Sequence, residues 1–170
     1  MKPDERERYA VEVRPTSKSD LDALLTVEQH CFNVYYYDYY MLDRRDFEFY
    51  LEDTDCLFLA ADHEARVVGY ILGPVDSWRE PPSVHIDSIA VLPEAQRKGI
   101  GSRLLRSFVT EAGRQGCTRV TLEVSTANKA GLAFFTKHGF CGTRRLPNYY
   151  GKGLDGLLMA VPTQEIDSSL

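Results

Sequence analysis

Apolar and polar residues alternate over residues 9–14, where Val11 and Val13 are interleaved with Glu12 and Arg14 before Pro15 ends the run. A period of two predicts a short strand. Leu21, Leu24, Leu25, Glu28 and Phe32 then recur at helical spacing behind Ser19-Asp20-Leu21-Asp22, with Ser19 as the expected N-cap and carboxylates in the first turn. A second, shorter helix is predicted over 43–52. Residues 56–61 and 67–75 read as strands joined in a hairpin around Asp62-His63-Glu64, and 84–91 as one more strand. Between 99 and 115, Ile100, Leu104, Leu105, Phe108, Val109 and Ala112 fall on one helical face, with Gly116 as C-cap. Residues 118–125 alternate again, 128–138 form a helix closed by Gly139, and 140–145 and 154–161 are strands about a Gly-rich connection. The order β-α-α-β-β-β-α-β-α-β-β is that of an α/β domain, a mixed sheet with helices on both faces.

A chain of 170 residues fits one such domain. It is expected over 9–162, with 1–8 and 163–170 as polar tails. The net charge of −5 argues against nucleic acid or an anionic membrane as partner, because both reward basic patches. Cys31, Cys56, Cys117 and Cys141 are scattered, with no C-x-x-C and no histidine at ligand spacing, so free thiols and no metal are expected. The charged start Met1-Lys2-Pro3-Asp4-Glu5-Arg6 has no apolar core of a leader and no stretch is long enough to span a bilayer, so a cytoplasmic protein is expected.

Chemistry concentrates in residues 86–102, Ile-Asp-Ser-Ile-Ala-Val-Leu-Pro-Glu-Ala-Gln-Arg-Lys-Gly-Ile-Gly-Ser. A strand ends, a loop turns and a helix opens on Gly99 and Gly101. A helix start offers unpaired N–H groups and the positive end of the dipole, and glycines let a bulky anion approach. Arg97 and Lys98 add charge beside it. Taken alone, G-x-G also fits a tight strand-to-helix turn. A P-loop is excluded by the missing G-K-[ST], and a dinucleotide fingerprint by Leu104 where a third glycine would stand.

The run Gln96-Arg97-Lys98-Gly99-Ile100-Gly101, behind Ile89-Ala90-Val91 and a Pro-containing turn, resembles the coenzyme A motif Q/R-x-x-G-x-G/A of the GNAT superfamily of N-acetyltransferases. The runs 122–128, 133–135 and 138–140 look like that superfamily's next strand and helix. Asn148-Tyr149-Tyr150 and Glu28-Gln29-His30-Cys31-Phe32 are similar to segments of RimI-type protein N-terminal acetyltransferases. The resemblance spans about residues 11–161.

It implies the GNAT fold: about seven mostly antiparallel strands, helices on both faces and a splayed central pair that binds acetyl-CoA. By position, the backbone of Ile89, Ala90 and Val91 would pair with the pantetheine arm. Arg97, Lys98, Gly99, Ile100, Gly101 and Ser102 would hold the pyrophosphate. Asn128 matches an asparagine near the thioester, and is equally a helix cap. Glu123 falls at the RimI-type general base; burial on a strand facing a cleft would raise its pKa, the alternative being a solvated strand glutamate. His85 resembles a histidine that helps hold a base water in another branch, the alternative being a structural strand-end histidine. Phe135 stands where relatives carry a tyrosine proposed to protonate the thiolate. It keeps the cofactor-side packing and lacks the donor, which leaves Tyr149, Tyr150 or water for that step.

On the acceptor side, residues 35–40 hold five tyrosines. Tyr36 and Tyr37 are acceptor-wall candidates, or part of a hydrophobic cap over the sheet edge or of a dimer contact, and Tyr150 is a candidate for the opposite wall. The implied reaction is direct transfer of acetyl from acetyl-CoA to a primary amine, foremost a protein N-terminal α-amine. Alternatives are a small-molecule amine such as a polyamine, aminoglycoside or amino acid, or an acyl-CoA-binding regulatory module of weak activity. A homodimer is compatible with this reading.

Overall fold

A computed structural model describes residues 10–32 and 41–166. Strands are β1 (Glu12–Pro15), β2 (Cys56–His63), β3 (Arg66–Asp76), β4 (Ser83–Ile86), β5 (Ser88–Val91), β6 (Arg119–Ser125), β7 (Cys141–Leu146) and β8 (Gly156–Pro162). Helices are α1 (Leu21–Cys31), α2 (Arg44–Glu52), α3 (Ile100–Arg114), α4 (Lys129–Lys137) and the single turn α5 (Thr163–Ile166).

The strands form one sheet in the order β1-β2-β3-β4-β6-β8-β7, with β5 also on β3. Every pairing is antiparallel except β4 with β6. Tyr70 on β3 faces α1 and α2, touching Glu28 and Phe47. A side chain at the next position, Gly69, would meet Leu104 of α3. Successive strand residues point to opposite faces, so α1 and α2 cover one face and α3 the other. Phe134 of α4 lies against Gly101 of α3, which puts α4 on the α3 face.

The predicted α/β fold is the observed one, and three local expectations change. The run 84–91 is two strands, because the ladder breaks at Asp87. The first helix is entered through a 3-10 turn in which Ser17, not Ser19, makes the capping contact: the Ser17 N–H donates to Asp20 Oδ2 at 2.8 Å. The segment expected as a C-terminal tail begins with the α5 turn, where the Thr163 hydroxyl donates to the Cys117 carbonyl at 2.9 Å.

Candidate active site

The central strands part in a fork. β4 pairs with β6 from Ser83–Arg119 to Ile86–Leu122. Beyond that point β5 stays on β3, opposite Gly69, Tyr70, Ile71 and Leu72, while β6 stays on β8. The edge of Ile89-Ala90-Val91 that would meet β6 is therefore left out of the ladder, with backbone donors and acceptors to offer an extended ligand.

A β-bulge sits at the crotch of this fork. Leu72 pairs with Ser88 and Val75 with Val84, so three residues of one strand oppose two of the other. Both Asp87 and Ser88 lie opposite Leu72, whose carbonyl accepts the Asp87 N–H at 3.0 Å. Asp87 is the inserted residue, and its side chain and that of Ser88 both turn to the α1–α2 face: Tyr50 of α2 donates to Asp87, and the Ser88 and Tyr70 hydroxyls meet at 2.9 Å. Gly73 makes room, because a Cβ there would lie 1.7 Å from the His85 carbonyl oxygen.

The bulge collects a polar cluster at the fork. His85 Nε2 lies 2.7 Å from Glu123 Oε2 and 3.8 Å from Asp87 Oδ1, and Nδ1 lies 2.7 Å from the Thr121 hydroxyl. The Tyr149 hydroxyl hydrogen-bonds Glu123 as well. An ionised carboxylate only accepts, so Nε2 carries a proton donated to Glu123. The hydrogen bond from His85 holds the Glu123 pKa below the usual carboxylate value and outweighs burial. This reverses the expectation of a raised Glu123. Burial pushes the His85 pKa down, but its bond to Glu123 and the charges of Glu123 and Asp87 outweigh burial and leave it raised. Asp87 is raised by burial against the opposing pull of Tyr50 and His85.

The structure thus joins the three predicted catalytic residues, Glu123, His85 and Tyr149. It adds Asp87, Tyr50 and Thr121, which no motif singled out; only the folding of α2 onto the sheet brings Tyr50 there. Tyr150, the candidate for the opposite wall, is 7% exposed and packs edge-on against Tyr149 with ring centroids 4.9 Å apart. Tyr36 and Tyr37 lie outside the described residues.

At the other mouth of the fork, Arg97 and Gly99 take positive φ of 62° and 81° and turn the chain into α3. Open space surrounds the position of a Gly99 Cβ, and Gly101 lies 3.4 Å from the Phe134 ring by the same measure. The helix start is thus bare on its approach side, with Arg97 and Lys98 exposed beside it. This is what an anionic diphosphate needs. Ile100 contributes backbone only, its side chain being 1% exposed in the core. The Ser102 hydroxyl, expected to face phosphate, lies 3.0 Å from Nε2 of His138, whose Nδ1 donates to the Phe134 carbonyl at 2.8 Å. Gln96 Nε2 donates to the Val91 carbonyl at 2.9 Å and ties the loop to β5.

Asn128 caps α4, its Oδ1 accepting the Gly131 N–H at 2.9 Å. Phe135 is 7% exposed between Phe134 and Phe140. On the α1–α2 face, Glu28 is buried beneath Tyr70, which donates to it, and accepts the Leu42 N–H at 2.8 Å. It thereby ties Leu42 to α1 and, through Tyr70, to β3.

The family model described as the Acetyltransferase (GNAT) family matches residues 21–140. The chain belongs to that family. It is an acetyl-CoA-dependent N-acetyltransferase. An uncharacterized N-acetyltransferase of Methanocaldococcus jannaschii is 34% identical over 86% of this chain and 88% of its own. An N-alpha-acetyltransferase of Sulfolobus acidocaldarius is 27% identical over 94% and 96%. The crystal structure of the Escherichia coli ribosomal-protein-S18-alanine N-acetyltransferase superposes with a TM-score of 0.77 at 23% identity, over 91% of this chain and 94% of that one. The splayed strands and the open helix start of this N-acetyltransferase are where backbone groups are left for acetyl-CoA, although the Val91 carbonyl and the Ser102 hydroxyl already carry bonds from Gln96 and to His138.

Proposed function

We propose that this N-acetyltransferase acetylates protein N-terminal α-amines, with the Glu123–His85 pair taking the acceptor's proton. The 2.7 Å contact of that pair at the crotch of the fork carries the reading. The relative named N-alpha-acetyltransferase that matches 94% of the chain supports the acceptor class.

Acetyl-CoA supplies the acyl group as a thioester. The backbone of Ile89, Ala90 and Val91 binds its pantetheine arm, and the N–H groups of residues 99–102 with Arg97 and Lys98 hold its diphosphate. Asn128 stands at the start of the neighbouring helix, on the thioester side. The acceptor arrives as an ammonium ion and must lose a proton before it can attack. The Glu123–His85 pair takes that proton directly or through a water and carries it as a charged imidazole whose Nε2–H is donated to the Glu123 carboxylate. The nitrogen sheds a second proton as the tetrahedral adduct collapses, so two protons leave it in all, and one of these goes to solvent. Tyr149, bonded to Glu123, is placed to give its phenolic proton to the departing thiolate and recover the other from the pair. Phe135 has none to give.

A cysteine nucleophile is disfavoured. Burial pushes the half-buried Cys31 and Cys56 thiols up to about 11 and about 12, which leaves them protonated near neutral pH. Direct transfer follows. The test is thiol release from acetyl-CoA with a panel of N-terminal peptides, set against polyamines, aminoglycosides and free amino acids. Turnover confined to peptides, lost in Glu123→Gln, is expected. Turnover on the small amines alone overturns the acceptor class, and an undiminished Glu123→Gln overturns the base. Binding of acetyl-CoA with no turnover on any amine marks a regulatory module.

A further inference from the structure

The two carboxylates nearest the fork stand on opposite arms. The last paired residues are Ile86 and Leu122, so Asp87 and Glu123 are the first residues past the crotch on each side. His85 lies between them. Glu123 is within hydrogen-bond distance of Nε2, and Asp87 Oδ1 faces the same nitrogen at 3.8 Å, near enough for charge to act and too far for a hydrogen bond. Asp87 does not lie there by chance rotation: Tyr50 donates to its other oxygen, and the bulge fixes its backbone.

We propose that Asp87, held by Tyr50, is a positioning residue of the transfer reaction that acts through His85, stabilising the imidazolium form of the ring and so setting the basicity of the Glu123–His85 pair. The proposal rests on the reading of that pair as the proton acceptor. The proton balance is simple. The acceptor ammonium loses one proton to the pair, and with that proton on the imidazole Nδ1–H is donated to the Thr121 hydroxyl and Nε2–H to Glu123. The ring's positive charge then faces two carboxylates until the pair gives the proton up, one of the two lost by the nitrogen going to the thiol and the other to solvent. With Glu123 alone the charge would be balanced once; with Asp87 on the other arm the cation is favoured twice over.

The groups that act on the ring are few among the described residues. From β6 they are Glu123 and Thr121, and from the bulge Asp87. Tyr149 reaches it only through Glu123. Tyr50 of α2 and Cys56 of β2 reach it only through Asp87. No lysine or arginine is among them, so removing the Asp87 charge has one direction of effect. A like-sized neutral amide makes the imidazolium less stable, and the ring gives up its proton at lower pH.

The test follows His85 by NMR of its imidazole carbon-bound protons in the full chain and in Asp87→Asn, beside the pH dependence of kcat/KM for a peptide acceptor. The imidazole titration reports on folded protein only, so a partly unfolded variant does not mimic the result. A charge at this separation is worth about 0.5–1 pH unit in a water-accessible cleft. The expected result is a downward shift of that size in the His85 titration, matched by the acid limb of kcat/KM, with a lower plateau because the pair has become a weaker base. An unmoved His85 titration overturns the proposal, and so does a uniform loss of rate at every pH with no shift, which is the signature of a purely structural Asp87. A shifted titration with an unshifted rate profile overturns instead the reading of the Glu123–His85 pair as the base, and with it the link from Asp87 to the rate.

Discussion

Gly73 and His85 are pressed together across the β3–β4 ladder, so closely that a methyl group on Gly73 would lie 1.7 Å from the His85 carbonyl oxygen. No relaxation of a flexible side chain relieves a clash with backbone. Gly73→Ala is expected to lower stability by about 2–5 kcal/mol, as overpacking against a fixed neighbour does. It also draws His85 off Glu123. Urea unfolding should show the stability loss, and kcat/KM measured well below the unfolding transition should fall at least about tenfold. Full activity in a folded Gly73→Ala protein would mean that the bulge does not position the histidine.

The Glu123–His85 pair sets a sign for the pH profile. The raised His85 pKa keeps the ring charged above its ordinary midpoint of about 6.5. While the ring is charged the pair already holds its proton and cannot take another. Activity therefore rises with pH through the His85 titration. Glu123→Gln should lower kcat/KM about 10²–10⁴-fold, and His85→Gln should abolish the acid limb. Stopped assays across pH 5–9 with a thiol reagent check both.

Asp20 gives a stability prediction away from the cleft. Bonds from Arg14 to both of its oxygens, at 2.9 Å each, hold its pKa down to about 2 against burial. A depressed carboxylate stabilises the fold above its unfolded pKa, and this is lost as pH falls through the folded one. Asp20→Asn should cost about 1–2 kcal/mol at pH 7, discounted for the partly exposed Arg14. The gap between variant and parent should close as pH approaches about 2. A constant gap across that range in acid-dependent unfolding would sink the assignment.

Gly99 separates cofactor binding from folding. Its φ of 81° with open space around the Cβ position means that Gly99→Ala meets strain but no clash. The conformational strain is about 1 kcal/mol. Calorimetric titration with coenzyme A should show weaker binding in this variant, and markedly weaker binding in Gly99→Glu, which adds bulk and negative charge where the diphosphate is to sit. Unaltered affinity in Gly99→Glu would move the cofactor elsewhere.

The β2–β3 turn can be improved. Glu64 and Ala65 both sit at positive φ, 51° and 61°, the left-handed pair of a two-residue hairpin turn that Asn-Gly adopts with less strain. Ala65→Gly with Glu64→Asn should raise stability by about 0.5–1 kcal/mol, seen as a higher Tm with kcat/KM unchanged.

Periodicity was enough for the helices, since α3 carries its apolar face in plain sight and Asn128 and Asp43 announce helix starts that the structure shows them capping. The coenzyme motif was legible because it is contiguous and depends on backbone. The partners of Glu123 and His85 were not, because they come from distant places: Tyr50 on α2, Asp87 at the bulge and Thr121 on β6. Their meeting depends on register, which a single chain does not display. The direction of the Glu123 pKa was misread for the same reason. Burial could be guessed from the strand pattern, but the histidine that overrides it is 38 positions away in sequence and directly alongside in space. Residues 163–166 were read as tail on polarity, yet Thr163 is tied down by backbone and hydroxyl bonds to Thr118 and Cys117.

The inserted Asp87 acts as a phase shift in the ladder. Skip it, and residues 85, 86, 88 and 89 alternate without interruption between the two faces. A single-residue deletion at this point is therefore unlike one in a surface loop: it yields a more regular strand, with better-matched hydrogen bonding, that lacks both the second carboxylate and the kink in the strand at the fork. Selection for a stiffer sheet and selection for a working cleft pull in opposite directions here. Insertions and deletions in this short stretch should be read as changes in reaction chemistry before they are read as changes in fold.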